Sequence, residues 1–145
     1  MIANCMVSED ISQPAEAQKL KEVESFAETA DKNSNFNSIK MNIHLGITFF
    51  TKNNYVKAYH YYQKAWKLYK SFPETCYQFA LTLFHLQMFD DAFAVLEKRD
   101  ISMTTVIQRA IDINLLGDIE GFRGNYEKAE EHFQMSFKLF CYGYE

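Results

Sequence analysis

Helix-breaking residues are scarce: the chain holds 5 glycines and 2 prolines in 145 residues. Pro14 and Pro73 both stand where a helix would begin, a place where proline forfeits no intrahelical hydrogen bond. Long stretches therefore contain nothing to interrupt a helix, and none of useful length alternates as a strand does. The predicted fold class is all-α. Cysteine is also rare. Cys5, Cys76 and Cys141 are odd in number, far apart and without a CxxC, which argues against a disulfide framework or zinc knuckle and fits the thiols of a cytoplasmic protein. Positive charge is not in excess, with 15 Lys and Arg against 19 Asp and Glu and a net charge of -4. No general attraction for nucleic acid or anionic lipid follows from that balance. No apolar run approaches the roughly 20 residues that span a bilayer. Met1 to Gln13 carries Glu9 and Asp10 where a secretory signal would be basic.

Motifs that carry chemistry are missing as well. His44, His60, His85 and His132 form no pair with metal-site spacing and supporting Cys or carboxylates. There is no GxxxxGK[ST], GxGxxG or GxSxG, and Gly117, Gly121 and Gly124 fall in a helical pattern. The group Glu127, Lys128, Glu130 and Glu131 reads as the solvated start of a helix, its acids favoured by the macrodipole. The expectation is a protein that is not an enzyme and needs no cofactor or metal.

Apolar bulk is plentiful: 48% of residues are hydrophobic and 16% aromatic, the composition of one globular domain. Residues 1–13 are polar and patternless and are expected to form a flexible leader. Residues 14–31 place Leu20, Val23, Phe26, Ala27 and Ala30 on one face of an N-terminal helix. The run DKNSNFNS, Asp31 to Ser38, is predicted to be a connector.

From residue 38 the sequence repeats. Gly46, Ala80 and Gly117 each follow a large apolar residue, and each is followed twelve positions later by Ala58, Ala92 or Ala129. The first two units are 34 residues apart and the next two 37, a surplus assigned to the Asp100–Thr105 linker. An aromatic (Tyr55, Phe89, Tyr126) stands three before the late alanine, and a large residue (Tyr62, Leu96, Phe133) four after it. Such a pattern describes two antiparallel helices per unit, with small residues meeting where the backbones come closest and the aromatic filling the space beneath the turn. The short linkers TKNN, LQM and RGN keep the helices of a pair antiparallel.

These positions resemble the tetratricopeptide repeat (TPR), with units at about 38–72, 73–103 and 104–141. The second unit departs at Arg99, where a small residue is usual, and the third at Glu120, where an aromatic is usual. The resemblance implies a right-handed stack of about seven helices and partner binding along a concave surface lined by the first helix of each unit. That surface holds Lys40, Ile43, Ile47 and Phe50, then Glu74, Tyr77, Leu81 and Phe84, then Ile111, Asn114, Asp118 and Gly121. Polar residues that clamp a peptide carboxylate in other TPR proteins are replaced by Ile43, Ile47 and Tyr77. An apolar groove suits an amphipathic helix or an extended peptide with hydrophobic anchors. The alternative occupant is the chain's own N-terminal helix. Tyr59 and Trp66 are left as a second, convex contact.

The function expected is therefore a protein-interaction module or assembly scaffold. The alternatives are a bacterial secretion chaperone of the TPR type, or a fragment of a larger TPR regulator or multisubunit complex component. At the far end, Phe133 and Phe137 are expected to pack inward, leaving Met135, Leu139, Phe140 and Tyr142 as an interface for a second copy, a partner chain or further repeats.

Overall fold

The computed structural model describes residues 15–25 and 35–143, with the side chains of residues 35, 36 and 143 excepted. The expected leader and the 26–31 end of the N-terminal helix lie outside the described residues. Seven α-helices are seen among them: α1 (15–25), α2 (Asn35–Thr51), α3 (Tyr55–Leu68), α4 (Pro73–His85), α5 (Phe89–Glu97), α6 (Val106–Phe122) and α7 (Tyr126–Gly143). A 3₁₀ turn, Ile101–Met103, fills the linker where the repeat spacing is longer. The described residues contain no strand. The chain has the TPR fold, α2–α3, α4–α5 and α6–α7 being its three helix pairs.

The repeat is carried by the turns. Each first helix ends with a residue in the left-handed region: Asn53 (φ 60°), Gln87 (φ 62°) and Gly124 (φ 86°). The next N–H reaches back five residues in every unit, Asn54 to Phe49 O, Met88 to Leu83 O and Asn125 to Glu120 O. This closure satisfies the last carbonyls of a helix. The second helix then starts with one further repeated bond, from Ala58, Ala92 and Ala129 N–H to the carbonyls of Asn54, Met88 and Asn125. Between pairs, Pro73 occupies the first turn of α4, where its missing N–H costs nothing.

One core runs the length of the stack. Leu45, Phe49, Ala58, Tyr62, Phe79, Ala80, Leu83, Ala92, Leu96, Leu116 and Ile119 are all buried in it. The small residues serve large ones. A Cβ on Gly46 would overlap the Tyr62 ring, and one on Gly117 would come within 2.6 Å of Phe133. The glycines of the first helices thus make room for the large residue of the second helix, rather than simply for its alanine.

Three sequence expectations are corrected here. Helix α2 begins at Asn35, inside the run assigned to a connector. Ile39 and Ile43 are buried against Ala65, and Asn42 Nδ2 donates to Ser38 O within the same helix at 2.8 Å, so apolar packing and a local bond outweigh the polar composition. Phe137 is 69% exposed and does not pack inward, whereas Phe133 rests its ring on Gly117 of α6 while staying 39% exposed. Ala129 is buried, and buried Ser136 donates to Ala110 O at 2.6 Å. Tyr126 is 74% exposed and fills no gap under its turn. Its counterparts Tyr55 and Phe89 are held by the following repeat, stacked on His85 and Phe122.

The two departures from the repeat pattern are paired charges. Arg99 Nε lies 3.2 Å from Asp112 Oδ2, both side chains almost fully buried, linking the end of α5 to α6. Glu120 accepts from Arg123 Nη1 at 2.7 Å and Asn125 Nδ2 at 2.9 Å. Arg123 also pairs with Asp90 at 2.9 Å and covers the Phe93 ring, tying the third repeat to the second.

Candidate partner-binding groove

Helix α2 touches α4 and α4 touches α6, so the first helices form a continuous inner wall. On the outside α3 and α5 part over α4, leaving a cleft of about 230 Å³ floored by Phe79 and Leu83. Tyr59 and Trp66 line that cleft, and both rings pack on Phe79, at 5.4 and 5.8 Å between centroids. Lys70 and Lys98 cover the Trp66 ring. Tyr59 and Trp66 are therefore half-buried at the junction and line its outer cleft.

On the inner wall the expected groove residues divide. Ile47, Phe50, Tyr77, Leu81 and Phe84 are half-buried, each presenting part of its side chain. Lys40 and Glu74 are exposed at the open ends of α2 and α4. Ile43 is withdrawn from the surface: it is buried with Ile39 and Ala65, with Leu68 and Phe72 against them. Its place on the helix turns it toward α3, so it belongs to the core. In the third repeat Asn114 is exposed, while Ile111, Asp118 and Gly121 are half-buried.

The structure adds residues that groove spacing alone did not mark. Phe50 packs edge-on against both Tyr55 and His85, at 5.2 and 5.3 Å, and Tyr55 stacks on His85 at 4.9 Å. His85 contacts Phe84, which meets Phe89 and Phe122 edge-on. Aromatic rings therefore run without a break from the first repeat to the third, along the turn end of the first helices. Phe122 and His85 lie one position past the groove series, so a reading confined to that series passes over them.

Beside the aromatic string the groove turns polar on α6. Burial raises the Tyr77 phenol above its usual range, and the carboxylates of Asp112 and Asp118 on α6 push it further the same way. Burial also raises the Asp118 carboxyl. Among the described residues no hydrogen bond or ion pair engages Asp118, so a partially desolvated carboxylate stands on the groove wall beside Tyr77. The two described cysteines supply no thiol on this surface: Cys76 is buried with its thiol pushed up to about 12, chiefly by burial, and Cys141 is exposed at the far end. No His, Cys, Asp and Glu group among the described residues has the arrangement of a metal site. No described helix is long and apolar enough to cross a membrane.

The described N-terminal helix does not lie along this groove. Leu20 and Val23 of α1 face Met41, His44, Leu45 and Thr48, on another side of α2.

Comparison with known proteins agrees with this architecture. The family described as "Anaphase-promoting complex, cyclosome, subunit 3" matches residues 16–99. No match to a curated protein sequence is found. Among solved structures, the crystal structure of MamA superposes with a TM-score of 0.67 at 19% sequence identity, over 81% of this chain. The alignment covers 66% of the MamA chain, so the present chain spans just under two thirds of that protein.

Proposed function

Because the chain belongs to the family described as subunit 3 of the anaphase-promoting complex, or cyclosome, we propose that it is a non-catalytic scaffold that holds a partner peptide or helix along the face formed by α2, α4 and α6. The observation that carries this reading is the unbroken aromatic string from Tyr55 through Phe50, His85 and Phe84 to Phe122. Tyr55, Phe50 and Phe84 are half-buried and His85 and Phe122 exposed; apolar rings are costly to leave in water, and each apolar anchor seated on them contributes roughly 1.5–3 kcal/mol. Ile47, Leu81 and Tyr77 extend the apolar floor, and Asp118 with Asn114 supplies its polar side on α6. A partner fitted to this surface carries aromatic or aliphatic side chains at its turn-facing side and a basic or hydrogen-bond-donating group near Asp118.

The printed description of the family, a subunit of a larger complex, favours a second reading in which the domain is one component of a multisubunit assembly. A secretion chaperone of the TPR type would use the same groove. Both readings place the chain with protein partners and away from nucleic acid.

The test is selection of binders from a displayed random-peptide library against the purified chain. Selected peptides are expected to share apolar anchors and a basic residue. Ile47→Asp, Tyr77→Ala and Phe84→Asp should weaken them at least about tenfold, the loss of one good anchor, with helicity unchanged by circular dichroism. Peptides indifferent to all three substitutions would overturn the proposal.

A further inference from the structure

Phe79 and Leu83 of α4 form the floor of the outer cleft, and its walls are α3 and α5, which run parallel because successive helices of the stack are antiparallel. On the α3 wall Gln63 Nε2 donates to Tyr59 Oη at 3.2 Å, and the Trp66 ring lies on Phe79. On the α5 wall the exposed Ala94 stands between Asp91 and Lys98, and its small side chain leaves the mouth open. At about 230 Å³ the cleft is smaller than the roughly 300–1,000 Å³ that holds a cofactor or drug-sized ligand. It has room for one large side chain.

The second junction is polar at the same places. Asp100 holds the position of Trp66, and Glu120 that of Leu83. Phe93, the counterpart of Tyr59, lies under Arg123, which pairs with Asp90 at 2.9 Å and Glu120 at 2.7 Å. The repeat geometry alone therefore does not make an apolar cleft. Residues Met135 and Tyr142 of the expected terminal interface are exposed and Leu139 and Phe140 half-buried, and none of them lines this cleft.

Charge indicates what an occupant carries. Lys70 and Lys98 hold their ammonium groups 5.1 and 5.4 Å from the centre of the Trp66 ring. Two cations over one ring repel each other, and among the described residues neither is paired with a carboxylate. The Trp66 indole N–H is buried with no acceptor among the described residues, a donor that an added acceptor satisfies. Asp91, the acid lining the cleft, stands two helical turns from Lys98, about 10 Å along α5. An occupant thus meets positive charge at the Trp66 end and negative charge at the Tyr59 end.

We propose that the cleft is a second peptide-binding site, one that takes a single large apolar side chain from an acidic segment. Carboxylates beside the anchor pair with Lys70 and Lys98, and the part of the segment that reaches Asp91 is neutral or basic. The cleft shares no residue with the inner groove, whose ligand is basic near Asp118, so the two readings stand or fall separately.

Trp66 is the chain's single tryptophan, so tryptophan fluorescence of the full chain reads the cleft and not the groove. The probe is a short synthetic peptide, free of tryptophan, with one leucine next to two glutamates. It is expected to change the Trp66 emission saturably, and the same peptide with lysines for the glutamates should not. Lys98→Glu should weaken the acidic peptide at least about tenfold, as reversal of an interface charge does. Ala94→Phe should abolish the response by filling the cleft from its own wall. Both positions are exposed, and circular dichroism of both variants should match the wild type; should Ala94→Phe lose helicity, Lys98→Glu decides alone. An emission that ignores the acidic peptide, an equal response to both peptides, or acidic-peptide binding undiminished by Lys98→Glu would each overturn the proposal. Emission that changes with protein concentration and not with peptide would assign the cleft to a second copy and overturn it likewise.

Discussion

The Tyr62 ring lies against the bare backbone of Gly46, in the space a Cβ would need. Tyr62 is fully buried and its hydroxyl reaches Gln78 of the next repeat, so the ring is fixed from both sides. Phe133 sits on Gly117 in the same way but is 39% exposed, with no described helix over it. The second repeat uses Ala80 and Leu96 at these positions, a larger small residue opposite a smaller large one.

Gly46→Ala should therefore destabilise by about 1–3 kcal/mol through overpacking. Gly117→Ala should cost less than about 1 kcal/mol, because the Phe133 ring can swing outward while the helix gains propensity. Tyr62→Leu combined with Gly46→Ala, which copies the second repeat, should recover part of the loss. Urea unfolding of the four proteins measures this, and equal midpoints for the two glycine variants would contradict it.

Turn chemistry gives a second comparison. Gln87 holds φ 62° at the place where the third repeat has Gly124, and a non-glycine residue there costs roughly 1–2 kcal/mol. Gln87→Gly is expected to stabilise by about 0.5–1 kcal/mol, and Gly124→Gln to destabilise by a similar amount. Thermal melts check both signs.

These positions show what the sequence makes legible. Gly46, Ala58, Ala80, Ala92, Gly117 and Ala129 announce the repeat because backbone approach tolerates few residue types, and it is their resemblance to the TPR that implies the fold. Ile43 was not legible as core from groove spacing, since its burial depends on Ala65 and Phe72 arriving from α3 and beyond. Phe137 was misplaced for the converse reason: helical spacing marks an apolar face but not whether a further helix covers it. Arg99 and Glu120 were visible as departures, yet their partners Asp112 and Arg123 appear only once the helices are stacked.

The Arg99–Asp112 pair yields an asymmetric prediction. Asp112→Ala leaves a guanidinium buried without its counter-ion and should cost about 3–5 kcal/mol. Replacing both, as Arg99→Met with Asp112→Leu, should be near neutral, because the desolvation cost of the two charges disappears with their attraction. A double-mutant cycle by urea denaturation checks it, and an additive result would contradict the pairing.

Asp118 predicts a pH dependence. Burial raises its carboxyl above the ordinary value of 3.8, so the folded chain binds this proton more tightly than the unfolded chain does. Its contribution to stability is present below that ordinary value and is lost as pH rises through the raised folded one. Asp118→Asn should accordingly be more stable than wild type at pH 7 and equal to it at a pH below the ordinary carboxylate range. Unfolding midpoints at the two pH values test the sign, and an Asn variant weaker at pH 7 would reverse it.

The groove is tested most directly by mapping a library-selected peptide onto the isotope-labelled chain by NMR. The account predicts that the shifted amides and side chains follow α2, α4 and α6, centred on Phe50, Tyr77, Phe84 and Phe122, with Asp118 among them. Shifts confined to the outer cleft of Tyr59 and Trp66, or to α7, would contradict it.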